Sequence, residues 1–232
     1  MTNRMEARVQ SPDDRLPAQG GIFDLDGVLV DTAGFHFAGW QMTAEQLGFQ
    51  LADADEELLK GVSRNEALDI ILGIGRVTCT PSERARLADE KNAWYVEQIQ
   101  QLTPAALLPG ALGLLDSLRR RNIPMALASS SRNAPAIVER VGVAHFFAAV
   151  VDPAELSAAK PDPEICVRAA EGLGLTPRSC IVFEDAPAGI TAALRAGCFA
   201  VGVGDAAVLH EADIVVKSLG DVPVMDLFAH QR

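Results

Sequence analysis

Gly21-Ile22-Phe23-Asp24-Leu25-Asp26-Gly27-Val28 is a short apolar run that ends on two carboxylates and a turn glycine. This pattern predicts a buried strand whose carboxyl end presents Asp24 and Asp26 at the edge of a sheet. From Phe35 to Gln101, strand-like runs are absent. Trp40, Leu47, Leu58, Leu59, Leu68, Ile71, Leu72, Leu87, Trp94 and Ile99 recur there at helical intervals, which predicts a small helical module. After Pro109-Gly110 the chain alternates. Helices are expected over 112–120, 135–141, 163–171 and 188–196, and strands over 124–128, 147–151, 180–183, 199–203 and 214–216. Alternation of this kind implies a parallel sheet covered on both faces. The fold class read here is therefore α/β, with a core of residues 21–32 and 104–232 interrupted by an all-helical insertion at 33–103. Residues 1–20 carry Pro12 and Pro17 without periodicity and read as a flexible extension.

Composition narrows the function. The 232 residues include 20 Lys and Arg against 31 Asp and Glu, a net charge of −11. Nucleic acids and anionic membranes call for basic stripes, so neither is expected as a partner. A hydrophobic share of 49% against 22% charged is globular composition and excludes bulk disorder. No apolar run approaches the ~20 residues that span a bilayer. The polar start, with Arg4, Glu6 and Arg8, lacks the apolar stretch of a secretory signal, so a cytoplasmic protein is expected. Cys79, Cys166, Cys180 and Cys198 form no C-x-x-C pair, which argues against zinc or disulfide chemistry. The last three sit in apolar contexts and read as small core residues.

In open α/β sheets, ligands bind beyond the carboxyl ends of the strands. Those ends carry Asp24 and Asp26, the run Ser129 to Asn133, Asp152, and Glu184 with Asp185, while Lys160-Pro161 follows in the loop after Asp152. Clustered carboxylates repel and raise one another's pKa, a cost that a hard cation with oxygen ligands relieves. Mg²⁺ suits two or three carboxylates plus a substrate phosphate. The competing reading is that each acid caps the helix after it.

Asp24-Leu25-Asp26-Gly27-Val28, Ser129, Lys160-Pro161 and Glu184-Asp185, in that order, resemble the four motifs of the haloacid-dehalogenase-like phosphotransferases. The resemblance covers the chain from Gly21 onward. It implies a Rossmann-like core with a helical cap of the C1 type at 33–103. Within that superfamily, the β-phosphoglucomutase group is resembled by longer strings. These are Asp31-Thr32-Ala33 with His36 and Trp40, Leu59-Lys60-Gly61-Val62-Ser63-Arg64, Lys91-Asn92, Ala126 to Asn133, and Asp152-Pro153-Ala154-Glu155.

The resemblance implies roles that chemistry makes intelligible. Asp24 is expected as the nucleophile, since a carboxylate needs no deprotonation to attack phosphorus. Asp26 would donate a proton to the leaving oxygen and take one from the incoming hydroxyl, its pKa raised by the nearby phosphate and acids. Ser129 and Lys160 would hold the transferring phosphoryl oxygens, with the helix after Ser129 favouring an anion. Mg²⁺ would be bound by Asp24, the backbone carbonyl of Asp26, Glu184 and Asp185. Arg64, Ser131, Arg132 and Asn133 look like a second phosphate site, for which an Arg fork is well suited. His36 and Lys91, with Asp31 and Thr32, would couple cap closure to Asp26. Lys60, Gly61, Ser130 and Trp40 complete the substrate-binding set, and Trp40 fits the cap core equally well. Trp94 and Tyr95 read as core. His145, His210 and His230 match nothing catalytic. Two positions depart from the pattern: Ala186 where many relatives carry a hydroxyl that would cap a helix, and Arg132 where the mutases often carry Lys.

A phosphoenzyme that meets a sugar hydroxyl is a mutase, and one that meets water is a phosphatase. The resemblance implies an Mg-dependent isomerase that interconverts β-D-glucose 1-phosphate and glucose 6-phosphate through β-glucose 1,6-bisphosphate. Its partners are small sugar phosphates, and nothing demands more than a monomer. A sugar-phosphate phosphatase is the alternative on the same scaffold, and a non-catalytic sugar-phosphate sensor the alternative of another class.

Overall fold

Six parallel strands run through the core in the order β3-β2-β1-β4-β5-β6. They are β1 (Gly20–Phe23), β2 (Met125–Leu127), β3 (Ala149–Val150), β4 (Cys180–Glu184), β5 (Phe199–Val203) and β6 (Ile214–Val216). The structure is a computed structural model and describes residues 18–228. Every residue of β1, β2 and β4 is buried, as the continuous apolar runs require of strands covered on both faces. The strand order reverses direction at β1, which pairs β2 on one side and β4 on the other. The crevice beyond its carboxyl end is therefore the expected ligand position.

Helices α1 (Ala33–Gln46), α2 (Glu56–Leu59), α3 (Arg64–Gly75) and α4 (Pro81–Ile99) form the inserted module. Helices α5 (Ala111–Arg120), α6 (Ala134–Arg140), α7 (Glu164–Gly172), α8 (Pro187–Ala196) and the short α9 (Val224–Leu227) belong to the core. Local sequence sets several boundaries. Ser63 and Glu66 close a capping box at the start of α3, and Thr80 with Glu83 does the same for α4, where Pro81 takes the first helical position. Gly197 ends α8 in the left-handed conformation.

Apolar residues gather in three groups. One group, with Phe23, Phe183, Leu115 and Leu118, covers one face of the sheet, and a second, with Ile22, Val182, Ile165 and Ile190, covers the other. A third lies inside the helical module around Trp40, Leu68, Ile71, Leu72 and Leu87. Cys166, Cys180 and Cys198 are buried core residues.

Some expectations need correction. Leu58 is 54% exposed and contributes nothing to the module's interior, because α2 is too short to bury a face. Tyr95 and Ile99 pack with the sheet's core rather than with the module, since the second half of α4 descends onto the core. Of the expected extension, residues 1–17 lie outside the described residues. Gly20 opens β1, while Ala18 bridges Phe228 and Gln19 N–H donates to Ser179 O at 2.8 Å, so the last three are tied to the core. His145 and His210 are exposed, and His230 lies outside the described residues. The two connections between core and inserted module, at 29–31 and 106–108, pair with each other: Val30 bridges Leu107, Asp31 N–H donates to Ala106 O at 3.0 Å and Leu108 N–H donates to Leu29 O at 2.9 Å.

Candidate active site

A cavity of about 590 Å³ opens between the helical module and the carboxyl ends of β1, β2 and β4. All of the expected site residues line it except Ser129, Thr32 and Glu184. Those three are buried just behind its wall.

Three carboxylates, Asp24, Glu184 and Asp185, offer oxygens within 4.8 Å of one another. The Lys160 ammonium lies 2.6 Å from Asp24 Oδ1 and 2.8 Å from Glu184 Oε2. Burial would push Lys160 down, but Asp24 and Glu184 outweigh it, so the ammonium is held far above its ordinary range. Asp24 is raised by burial, against the pull of Lys160, and the neighbouring Glu184 and Asp26 add to the rise. Asp185 is raised well above its ordinary value by burial, then by Glu184 and Asp24. One ammonium facing three carboxylates leaves negative charge uncompensated, and the donors are all oxygen. That donor set fits a hard divalent cation.

Two glycines make this geometry possible. Gly27 has φ +77°, and a Cβ there would collide with the Asp185 carboxylate. A Cβ on Gly189 would collide with the Glu184 carboxylate. Glu184 Oε1 also accepts from the backbone N–H groups of Asp185 at 3.1 Å and Ala186 at 3.2 Å. Ala186 itself offers no side-chain cap to α8.

Asp26 stands apart from the carboxylate cluster. Thr32 Oγ1 donates to its Oδ1, Tyr95 Oη lies 3.4 Å from the same oxygen, and His36 Nε2 lies at 3.6 Å. The last separation is too long for a hydrogen bond, so His36 acts on Asp26 through charge. Burial alone would raise Asp26, yet the His36 charge, the Thr32 hydrogen bond and Lys91 together lower its pKa below the ordinary value. This corrects the expectation that neighbouring acids raise it, because the groups that face Asp26 are donors and cations; the rise expected from a bound phosphate belongs to the liganded enzyme. Thr32 occupies the N-cap of α1 without capping it. Its hydroxyl serves Asp26 instead.

Lys91 is 5% exposed, 2.8 Å from His36 Nδ1 and above the rings of Trp40 and Tyr95 at 4.9 and 4.7 Å. Burial, with Arg64 second, lowers its pKa to about 7. Trp40 thus belongs both to the module's interior and to the cavity wall. Tyr95 is the residue that the sequence reading missed. Its helical spacing marks it as core, and nothing local signals that its hydroxyl reaches Asp26, 69 positions away.

At the other end of the cavity, Arg64 Nη2 donates to Asn92 Oδ1 at 2.7 Å and Asn133 Nδ2 donates to the same oxygen at 3.1 Å. Ser131 and Arg132 line the same end. Between the two ends, Ser130 Oγ donates to Gly61 O at 3.1 Å across the cleft. Lys60 pairs with Glu57 at 2.5 Å and feels Asp185 through charge.

Three expectations are corrected here. No helix follows Ser129 directly: α6 starts at Ala134 after Asn133, and Ser129 Oγ accepts from Ser131 N–H at 3.1 Å. Asp152 does not join the carboxylates. It is exposed and accepts from Ala154 N–H at 2.8 Å, the capping role that was its competing reading. Asp31 is exposed at the crossing and touches the site only through its backbone neighbour Thr32.

Among the described residues, no helix is long and apolar enough to cross a membrane. A model of the haloacid dehalogenase-like hydrolases matches residues 21–197. The chain is 46% identical over 203 residues to a β-phosphoglucomutase of Bacillus subtilis (strain 168), covering 87% of this chain and 90% of that one. It is 32% identical over 211 residues to hexitol phosphatase A of Escherichia coli (strain K12), covering 89% and 94%. Among solved structures, β-phosphoglucomutase from Clostridium difficile superposes with a TM-score of 0.86 at 39% identity, over 88% of this chain and 93% of that one. A parallel sheet with paired strand-end acids, a buried lysine between them and a helical insertion over the crevice, together with these similarities, settles the family: the chain belongs to the haloacid dehalogenase-like hydrolases.

Proposed function

We propose that the protein is an isomerase, a phosphomutase that interconverts β-D-glucose 1-phosphate and glucose 6-phosphate through an aspartyl phosphate on Asp24 and β-glucose 1,6-bisphosphate. One observation carries this reading. A single cavity holds two separated groups suited to phosphate, Lys160 beside Asp24 at one end and Arg64, Arg132 and Asn133 at the other. A sugar bisphosphate needs both, whereas simple hydrolysis of a monophosphate needs one. Similarity to β-phosphoglucomutases at 46% and 39% identity supports the same assignment.

In this reading residues 33–103 act as a cap on the core of 21–32 and 104–232. An Asp24 carboxylate oxygen attacks phosphorus, and the bond from phosphorus to the sugar oxygen breaks. That oxygen takes a proton from Asp26. In the second half-reaction a different sugar hydroxyl gives its proton to Asp26 and attacks the phosphoaspartate, which restores Asp24. The hydrogen bond from Thr32 and the charge of His36 hold Asp26 as the base, and an approaching phosphoryl anion favours its protonated form. Lys160 and Ser129 orient the transferring oxygens, and Ser131, Arg132, Asn133 and Arg64 hold the other phosphate. Lys60, Gly61, Ser130, His36, Lys91 and Trp40 enclose the sugar. Mg²⁺ would be held by Asp24, the Asp26 carbonyl, Glu184 and Asp185. When bound, it offsets the charge of the phosphoryl group so that an anionic nucleophile can approach. The enzyme works as a cytoplasmic monomer on small sugar phosphates.

Incubation with β-glucose 1-phosphate, Mg²⁺ and a bisphosphate primer tests the proposal. Glucose 6-phosphate is the expected product, and Asp24→Asn is expected to form none. Release of free phosphate in its place would establish the phosphatase reading, which the similarity to hexitol phosphatase A favours. Absence of any turnover by the native protein would establish a sensor.

A further inference from the structure

Asn92 has no role in the mechanism above, although it lines the cavity one residue after Lys91 on α4. Its side-chain oxygen accepts two hydrogen bonds from opposite sides of the cleft, one from Arg64 of the helical module at 2.7 Å and one from Asn133 of the core at 3.1 Å. A guanidinium can only donate, so the amide is fixed with its oxygen toward Arg64. An oxygen that receives a guanidinium donor and an amide donor together has the bonding pattern of one phosphate oxygen. The electrostatics agree. Burial, and then the positive charge of Arg132, lower the pKa of Arg64, while Asp89 opposes them. Two guanidinium groups brought together at a half-buried cleft call for an anion between them.

We propose that Asn92 is a positioning residue for the distal phosphate: its side-chain oxygen aligns Arg64 of the cap with Asn133 of the core, at the spacing that one phosphate group bridges. The proposal rests on the reading that Arg64, Arg132 and Asn133 receive the phosphate that is not being transferred. It adds a residue that reads the gap between the two domains. Asn92 holds the two donors in register, and a sugar phosphate then meets a preformed pair rather than two independent side chains.

Kinetics and binding test this on the Mg²⁺-loaded full chain. In Asn92→Ala, the KM for β-glucose 1-phosphate and the calorimetric Kd for glucose 6-phosphate are expected to rise about tenfold, the scale of one lost charge-assisted hydrogen bond, with kcat changed much less. Asn92→Asp keeps the shape and both accepted bonds, so it is the variant whose folding is secure. Its added negative charge beside the phosphate is expected to weaken binding as well. Asn92→Ala combined with Arg64→Ala is expected to lose less affinity than the two single losses added, because Asn92 acts in part through that side chain. Additive losses in the double variant, unchanged affinity in Asn92→Ala, or affinity in Asn92→Asp equal to the native protein's would each overturn the proposal. Failure of the native protein to bind glucose 6-phosphate would overturn the functional reading along with it. Binding by the native protein without any Asn92 effect would overturn this proposal alone.

Discussion

Lys160 Nζ lies 2.6 Å from Asp24 Oδ1, an ion pair between side chains 136 positions apart in the sequence and almost entirely removed from water. The same ammonium reaches Glu184, so one cation from the loop after β3 ties together the carboxyl ends of β1 and β4. Removal of one partner from such a group strands the others.

Lys160→Met is therefore expected to destabilise the metal-free protein by about 3–5 kcal/mol, the usual cost of leaving a buried charge unpaired. Urea unfolding in the presence of a chelator measures it. Added Mg²⁺ is expected to restore part of the loss, and activity is expected to stay absent because the phosphoryl oxygens have lost their cation.

Asp185→Asn separates metal affinity from stability. Burial and the charges of Glu184 and Asp24 hold Asp185 well above its ordinary pKa. Removal of that charge is expected to stabilise the chelated protein by about 1 kcal/mol. It is also expected to raise the Mg²⁺ concentration for half-maximal activity by about tenfold or more, since a hard cation loses a charged oxygen ligand. Lower stability in chelator would contradict the charge argument.

Lys91 gives a pH dependence with a definite sign. Its pKa is about 7 in the folded protein, lowered from 10.5 by burial and by Arg64. Between those two values the unfolded chain binds a proton that the folded one does not, so this group's contribution to stability rises with pH across that window. Below pH 7 both states are charged and the full penalty of burying an ammonium remains. Lys91→Met is expected to stabilise the fold at pH 6 and to lose that advantage by pH 10, as read from paired denaturant melts.

Gly61 packs against the loop after β4. It has φ +70°, and a Cβ there would lie 2.7 Å from the Ala186 side chain, while its carbonyl accepts from Ser130. Gly61→Ala imposes about 1–2 kcal/mol of backbone strain and pushes the cap away from the loop after β4. The expected outcome is slower glucose 6-phosphate formation with a larger share of phosphoryl groups lost to water, measured as free phosphate against sugar product.

Tyr95→Phe keeps the ring against His36, at 4.1 Å between centroids, and deletes only the hydroxyl near Asp26. Burial and Asp26 hold that phenol protonated far above its ordinary range, so it can only donate. Loss of the donor is expected to raise the Asp26 pKa, which moves the acid limb of the pH-rate profile upward, with stability changed by no more than about 1 kcal/mol. An unmoved acid limb would show that the 3.4 Å contact has no influence on Asp26.

The elements of the core were legible because burial on both faces writes itself into consecutive residues. The runs 180–183 and 199–203 carry no charged residue, and the strands read from them match Cys180–Glu184 and Phe199–Val203 to within one residue. Leu58 misled because helical spacing says nothing of helix length, and a four-residue helix has no buried stripe. Asp152 misled because a strand-end acid looks the same whether it meets a cluster or caps the turn after it.

By itself, the sequence determined which side chains stand at the strand ends and in what order, since each lies one or two residues beyond an apolar run that must be buried. The grouping of Asp24, Glu184 and Asp185 followed from that order, with Lys160 reaching them from the loop after β3. Tertiary structure alone decided what faces Asp26. Tyr95, His36 and Lys91 reach it because α4 and α1 fold back over the sheet, and the charges met there turn its pKa downward. Such an outcome depends on distances of a few ångströms between segments far apart in the chain, where Coulomb energies and desolvation change steeply, and no local pattern of residues records those distances.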